Sequence, residues 1–313
     1  MSKTLRRVVV SFAVILATLI VGVFAGKWIW DRFLYTGYEP GAPLNAGVVS
    51  EEVRGGYRRL AFDFDGIPGE SVPALLALPV EGDGPWPCAV FLHGIGQQKE
   101  FLDEIAAPFC EAGFAIVTFD QYTRGERKLD KAGPLADVLA LRRRCSTNVI
   151  ETRRLLDYLE TRPDIASERV YLLGASFGAI TGATAMAFEP RLKAGVMCYG
   201  GGNLGLIFDS ETSRREIGEW HGVFSAVTTF LLAPADPVRH IARVAPRPLL
   251  FQNGRNDTVV PAAAGQALYD AAKEPKEMIW YDSDHVGLDA AHVVRVLGDA
   301  LAWLKKQDGQ EVP

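Results

Sequence analysis

The stretch Val170-Tyr-Leu-Leu-Gly-Ala-Ser-Phe-Gly-Ala-Ile-Thr-Gly182 decides how the rest of the chain is read. It opens as an apolar run without polar alternation, the pattern of a strand buried on both faces of a parallel sheet. After Gly178, small and apolar residues resume at helical spacing from Ala179 to Phe188. Strand, tight turn and helix with Ser176 at the apex is a context that exposes a serine hydroxyl for attack. Gly174 and Gly178 suit it, because side chains there would collide with the adjoining strand and helix. The pentapeptide G-x-S-x-G is a weak signal by itself, and a serine in such a turn also serves as a helix N-cap. Catalysis requires a base, an acid and an oxyanion hole from elsewhere in the chain.

The totals permit this. A chain of 313 residues suits one large α/β domain, and 48% hydrophobic residues with 31 glycines suffice for a sizeable core and many turns. A formal charge of −5 without a long basic run argues against nucleic-acid binding. Cys88, Cys110, Cys145 and Cys198 lie far apart, with no C-x-x-C pair or Cys/His cluster, so no zinc site is expected. Each sits in an apolar or helical context and reads as a buried free thiol. A disulfide stays open as an alternative if the domain lies outside the cytoplasm.

Residues 1–35 read as a separate unit. Lys3, Arg6 and Arg7 precede an uncharged run from Val8 to Ala25. As a helix that run spans about 27 Å, close to the thickness of a bilayer core. It has no polar face, which argues against an ordinary soluble helix. Two readings compete. Val23-Phe24-Ala25 offers the small residues a signal peptidase accepts, and cleavage near Ala25 would give a secreted or periplasmic protein. An uncleaved membrane anchor is favoured: the run exceeds a usual signal core, Trp28, Trp30 and Tyr35 follow like an interfacial belt, and Lys27 and Arg32 can snorkel. Both readings keep the basic flank inside and place the remainder on the extracytoplasmic side.

Residues 36–56 read as a linker. Tyr57 to Phe64 alternates well enough for an edge strand, with Val72 to Pro79 as its antiparallel partner. Apolar runs at Cys88–Leu92, Phe114–Phe119, Val170–Gly174, Ala194–Tyr199, Pro248–Gln252 and Glu277–Tyr281 then alternate with helical segments. Among the helices, one is expected at about Ser146 to Thr161 and a final one at about Asp289 to Lys305. Asp120 to Lys131 reads as a polar loop. The rhythm stops between Gly200 and Ala245, where an inserted helical lid over 203–245 competes with ordinary packing at a sheet edge. Alternation of this kind predicts a mostly parallel, doubly wound sheet flanked by helices, over 57–306, with 307–313 as a tail.

In an open α/β sheet, reactive groups gather beyond the carboxyl ends of the strands. Asp257 follows the strand ending at Gln252 and can orient an imidazole, although an aspartate there also suits an Asx turn or a helix cap. His285 follows the strand ending at Tyr281 and can take the serine proton and return it to a leaving group. His221 and His240 fall in the insert, and His292 in a helix. His93-Gly-Ile-Gly96 follows the first central strand, where the amide of Ile95 together with that of Phe177 can form an oxyanion hole. His93 itself reads as a packing residue.

With H-G-I-G, F-D…R-G-E-R, G-A-S-F-G, P-R-P-L-L…G-R-N-D-T-V-V-P and a late D-H, the chain from about Tyr57 to Lys306 resembles the α/β-hydrolase superfamily. The best branch match is the dienelactone-hydrolase and acetyl-xylan-esterase-like group, followed by prolyl-oligopeptidase-like peptidases. It departs from many relatives in Ala179 after Gly178 and in Ala175 before the serine. The resemblance implies Ser176 as nucleophile, His285 as base and Asp257 as its orienter, acting on a small-molecule ester without metal or organic cofactor. Two alternatives stand beside this reading. One is a serine peptidase, whose relatives usually carry a large propeller that the segment ahead of the first strands cannot supply. The other is a non-catalytic, membrane-tethered binding module, which would be expected to have lost one of the three residues. The apolar insert (Phe208, Trp220, Phe224, Phe230, Leu231) suggests an apolar substrate pocket or else a dimer or membrane contact.

Overall fold

The structure is a computed structural model that describes residues 3–128, 133–286 and 290–310. It divides into two units, Met1–Gly37 and Tyr38–Pro313. The first consists of helix α1 (Lys3–Arg32). Its apolar side chains, among them Val14, Leu19 and Phe24, are exposed, and the helix is long and apolar enough to cross a membrane.

In the second unit nine strands form one sheet, in the order β1-β2-β3-β5-β4-β6-β7-β8-β9 among the described residues. β1 (Gly47–Arg54), β2 (Tyr57–Asp65) and β3 (Ser71–Pro79) are antiparallel. β4 (Trp86–Leu92), β5 (Ala115–Phe119), β6 (Ile165–Ala175), β7 (Leu192–Cys198), β8 (Leu249–Gly254) and β9 (Lys276–Tyr281) run parallel to their neighbours within that block. The mostly parallel sheet expected from the apolar runs is therefore present.

Each central strand feeds two cores. In β4, Cys88, Val90 and Leu92 pack towards Leu155 and Leu159 of α3 (Pro134–Glu160) and Ala183 of α4 (Phe177–Phe188). Ala89 and Phe91 point the other way, towards Ile105 and Phe109 of α2 (Leu102–Glu111) and Val296 and Leu304 of α9 (Ala290–Gln307). Burial on both faces is why these strands read as apolar without alternation. Phe91, Phe119 and Phe251 are each about 1% exposed or less, and burying one such side chain contributes roughly 2–3 kcal/mol.

Three boundaries differ from the expectation. The stretch taken as linker contains β1, whose residues are all exposed; it pairs on the outside of β2, so Tyr57–Asp65 is not the edge. A strand with no buried face leaves no hydrophobic pattern to read. Helix α3 starts at Pro134, a dozen residues before the expected start, because its first half carries the Arg142-Arg-Arg144 run. Asp308 belongs to the domain rather than to a tail: its carboxylate is fully buried and accepts from Arg169 and from the Tyr171 hydroxyl at 2.8 Å. The end of the polar loop, residues 129–131, and Asp289 lie outside the described residues.

The R-G-E-R segment is structural. Buried Asp120 accepts from the Lys99 amide (2.9 Å), the Lys99 ammonium (3.1 Å) and the Glu126 amide (3.0 Å). Arg127 grips Glu151 of α3 through two bonds of 2.7 and 2.8 Å, a fork that holds the loop to the helix. Between β7 and β8, the chain forms α5 (Leu204–Phe208), α6 (Glu211–Ile217) and α7 (His221–Leu232) with short 3₁₀ turns, the expected helical insert. The last helix before β9 is α8 (Ala262–Ala271).

Candidate active site

The strand order reverses between β4 and β6, where the chain has gone out to β5 and returned on the other side of β4. A crevice at such a switch point, beyond the carboxyl ends of the strands, is where an open α/β sheet places its chemistry. Ser176 stands there with φ 53° and ψ −118°, a backbone conformation that costs on the order of 1–3 kcal/mol for a residue with a side chain. Its amide donates to the Cys198 carbonyl at 2.8 Å, and its carbonyl accepts from Ala179 and Ile180, which starts α4. The flanking glycines are enforced by space. A Cβ on Gly178 would lie 1.8 Å from the Leu92 carbonyl oxygen, and one on Gly174 would lie 2.6 Å from the Ala179 Cα.

Asp257 and His285 arrive from the two neighbouring loops after β8 and β9. The His285 imidazole faces the Ser176 Oγ at 2.9 Å through Nε2 and the Asp257 Oδ2 at 2.7 Å through Nδ1. A carboxylate can only accept, so Nδ1 carries the proton and Nε2 is left to accept from the serine hydroxyl. The side chain of Asp257 is fully buried. Its other oxygen, Oδ1, accepts from the amides of Val259 (2.9 Å) and Val260 (2.7 Å). Asp257 thus makes the contacts that the turn-capping and the imidazole-orienting readings each call for, one on each oxygen.

The two loops are tied by Asp284, whose Oδ1 accepts from the amides of Thr258 (2.9 Å) and His285 (2.7 Å). Those bonds, that of the Thr258 amide foremost, hold its carboxyl below the ordinary aspartate range. The loop after β4 passes beside the serine, since a Cβ on Gly94 would lie 3.7 Å from the Ser176 Cβ. The Gln97 side chain holds this loop by accepting from the Gly94 amide at 2.8 Å. Among the described residues, the amides of Ile95 and Phe177 make no hydrogen bond to another loop or turn. His93 is completely buried, with Nδ1 2.9 Å from the Gly94 carbonyl oxygen, and burial pushes its pKa down to about 4.

Two groups escaped the sequence. Arg144 of α3 is 2% exposed and donates to the Ile95 carbonyl (3.2 Å) and to the Gln121 Oε1 (2.8 Å). Behind His285, the Tyr199 ring packs edge-on at 5.7 Å, and its hydroxyl bonds Ser283 (2.6 Å) and His292 (2.5 Å). Gln121 was within reach, because it is the second residue after β5. Arg144 gave no signal, since three consecutive arginines on a helix read as a solvated face.

Two cavities meet at Ser176. One of about 330 Å³ is lined by His285, Gln97, Phe101, Val293, Val296 and Leu297, among others. The second, of about 110 Å³, is lined by Cys145, Phe177, Ile180, Leu204, Ile207 and Leu232, among others. Of the insert aromatics, Phe208 also lines the smaller cavity, whereas Trp220 is 74% exposed. All four cysteines are buried and free, and burial pushes the Cys110 and Cys145 thiols up to about 12. Among the described residues, no group of three or more His, Cys, Asp or Glu side chains is placed to hold a metal ion.

Known proteins share this architecture. Esterase YjfP of Escherichia coli (strain K12) is 26% identical over 217 residues, 65% of this chain and 82% of that protein. The putative esterase YitV of Bacillus subtilis (strain 168) is 27% identical over 205 residues, 60% of this chain and 74% of that protein. Among solved structures, an acetyl xylan esterase from Paenibacillus sp. R4 superposes with a TM-score of 0.67 at 18% identity, covering 87% of this chain and 92% of that one. The acetyl xylan esterase 1 of Thermoanaerobacterium sp. JW/SL YS485 gives 0.64 at 19% identity, covering 87% and 93%. The dienelactone hydrolase family model matches residues 72–286, a span that runs from β3 to the loop bearing His285. With its sheet, its serine turn and that match taken together, this chain is an α/β-hydrolase belonging to the dienelactone hydrolase family.

Proposed function

We propose that the protein is a serine hydrolase of carboxylic esters. One observation carries the reading: the unbroken line of hydrogen bonds from the Ser176 Oγ through His285 to Asp257, at 2.9 and 2.7 Å. As Oγ attacks the ester carbonyl, its proton passes to the His285 Nε2, and the Asp257 carboxylate holds the imidazolium that forms. The carbonyl oxygen takes up the charge and accepts from the amides of Ile95 and Phe177. The C–O bond to the alcohol then breaks, His285 returns the proton to the departing oxygen, and an acyl-serine remains. Water, deprotonated by the same imidazole, attacks the acyl carbon; the bond from that carbon to Oγ breaks, and the imidazolium returns the proton to Oγ, freeing the acid and Ser176. The preference for esters over amides rests on the esterase names among its relatives.

The decisive experiment is Ser176→Ala, assayed on short p-nitrophenyl esters and with a fluorophosphonate probe. Both hydrolysis and labelling are expected to vanish; a variant that still turns over would overturn the proposal. A wild-type serine inert to the probe would favour a binding module instead, and cleavage of peptide amides faster than esters would favour a peptidase.

Helix α1 is proposed as an uncleaved anchor with the basic N-terminus on the cytoplasmic side. Its support is the uncharged run Val8–Ala25 followed by Trp28 and Trp30. Mass spectrometry of the mature N-terminus tests this, and a protein beginning at Gly26 would sink it.

A further inference from the structure

The two cavities at Ser176 assign the halves of the substrate. In any attack by the Ser176 Oγ, the departing oxygen must receive its proton from the His285 Nε2, so it leaves within hydrogen-bond reach of that ring. Of the two cavities, the larger is lined by His285 and the smaller is not. Resting on the hydrolase reading above, we propose that the larger cavity receives the alcohol and the smaller one the acyl chain. The substrate class that follows is an uncharged ester joining a short apolar acid to a bulkier apolar alcohol.

The lining chemistry agrees. The larger cavity is walled by Phe91, Phe101, Val286, Val293 and Leu297, with Gln97 as a polar lining residue. The smaller is bounded by Leu141 and Cys145 of α3 on one side and by Leu204, Ile207 and Phe208 of the insert on the other. Neither is lined by an Asp, Glu, Lys or Arg among the described residues. Against these described walls, an acid bearing a second carboxylate or an alcohol bearing an ammonium would lose its hydration without gaining an ionic partner. Arg144 does not alter this, because it lines neither cavity and turns its terminal nitrogens to the Ile95 carbonyl and Gln121.

Size sets the order. At roughly 30 Å³ for each group the size of a water molecule, the smaller cavity takes about four such groups. The larger has about three times the space. The insert therefore restricts the acid, and α9 accommodates the alcohol.

Two series of esters, hydrolysed by the full chain and normalised to the fluorophosphonate-reactive fraction, test the assignment. One lengthens the acid from acetyl to dodecanoyl on a fixed p-nitrophenol; the other lengthens the alkyl group of the alcohol on a fixed acetate. We expect kcat/KM to fall at least tenfold once the acid exceeds about pentanoyl. It should rise about fourfold per added methylene in the alcohol until the cavity is full. Ile207→Trp should move the acyl cut-off to shorter chains, and Val293→Trp should flatten the alcohol series. Both side chains are only partly buried, so the larger ring has room to fold. Reversed series, or Ile207→Trp acting on the alcohol and Val293→Trp on the acid, would overturn the assignment while leaving the hydrolase reading intact. Failure to hydrolyse any ester would overturn both.

Discussion

The guanidinium of Arg144 lies 4.4 Å from the ring centroid of Phe177, and the same group donates to the carbonyl of Ile95. One buried cation thus braces both residues whose amides are proposed to receive the oxyanion. No ion pair is made by Arg144 among the described residues. Burial, helped by the nearby positive charge of Arg124, pushes its pKa down to about 9, so the group remains charged at neutral pH. An uncompensated cation held by neutral acceptors is expensive, and its use here is geometric. Arg144→Met is expected to lower kcat about 10- to 100-fold with KM changed less than threefold, the signature of an interaction that matters in the transition state. Arg144→Lys should recover little, since an ammonium neither stacks on a ring nor spans two acceptors as a planar fork does.

Asp257 allows a sharper separation. Asp257→Asn keeps an oxygen for the amides of Val259 and Val260, but places a poorer partner against the imidazole. Its kcat should fall by about 10⁴ while its melting temperature stays close to wild type. Asp257→Ala removes both functions and should cost a further 0.5–2 kcal/mol or so of stability, the value of a lost cap. Steady-state kinetics and denaturant titration of the pair check this, and equal stability of the two variants would argue against the capping role of Oδ1.

Tyr199 presents its edge to His285 and its hydroxyl to Ser283 and His292. If the ring positions the imidazole, Tyr199→Phe should retain kcat within about threefold, whereas Tyr199→Ala should lose tenfold or more. The rate and its dependence on pH are the readouts, because a merely structural defect would lower the folded fraction without changing the profile.

Buried His93 gives a stability signature. Its folded pKa of about 4 lies below the ordinary 6.5, so in that window the unfolded chain binds a proton that the folded protein does not. Its contribution is complete above pH 6.5 and is lost as pH falls towards 4, by up to about 3 kcal/mol in all. Urea midpoints at pH 7 and pH 5 should therefore show the wild type losing about 2 kcal/mol more than His93→Gln. Parallel losses in the two proteins would refute it.

What could be read from the sequence divides along physical lines. The strands buried on both faces announced themselves, because a parallel sheet leaves no polar alternation to confuse with anything else. Ser176, Asp257 and His285 were legible as a candidate set because each lies on the loop just past a strand, and the carboxyl edge of the sheet brings such positions together. β1 was not legible, since all its residues are exposed and its only merit is a free row of backbone bonds on β2. Arg144 was illegible for the opposite reason. In the run Arg142-Arg-Arg144 the first and last arginines are buried and the middle one is exposed, and only the tertiary fold chooses between them. Asp308 was dismissed as tail because nothing local says that Arg169 and Tyr171 await a carboxylate.

The shared carboxylate of Asp284 has a practical consequence. By accepting from Thr258 and from His285 at once, it couples residues 255–260 to residues 282–286. A change in either loop is therefore expected to reach the other, and with it the spacing between the imidazole and Asp257. For anyone transplanting the proposed triad to another scaffold, the two loops form one cassette: grafting either without the other would carry over the residues and leave the register behind.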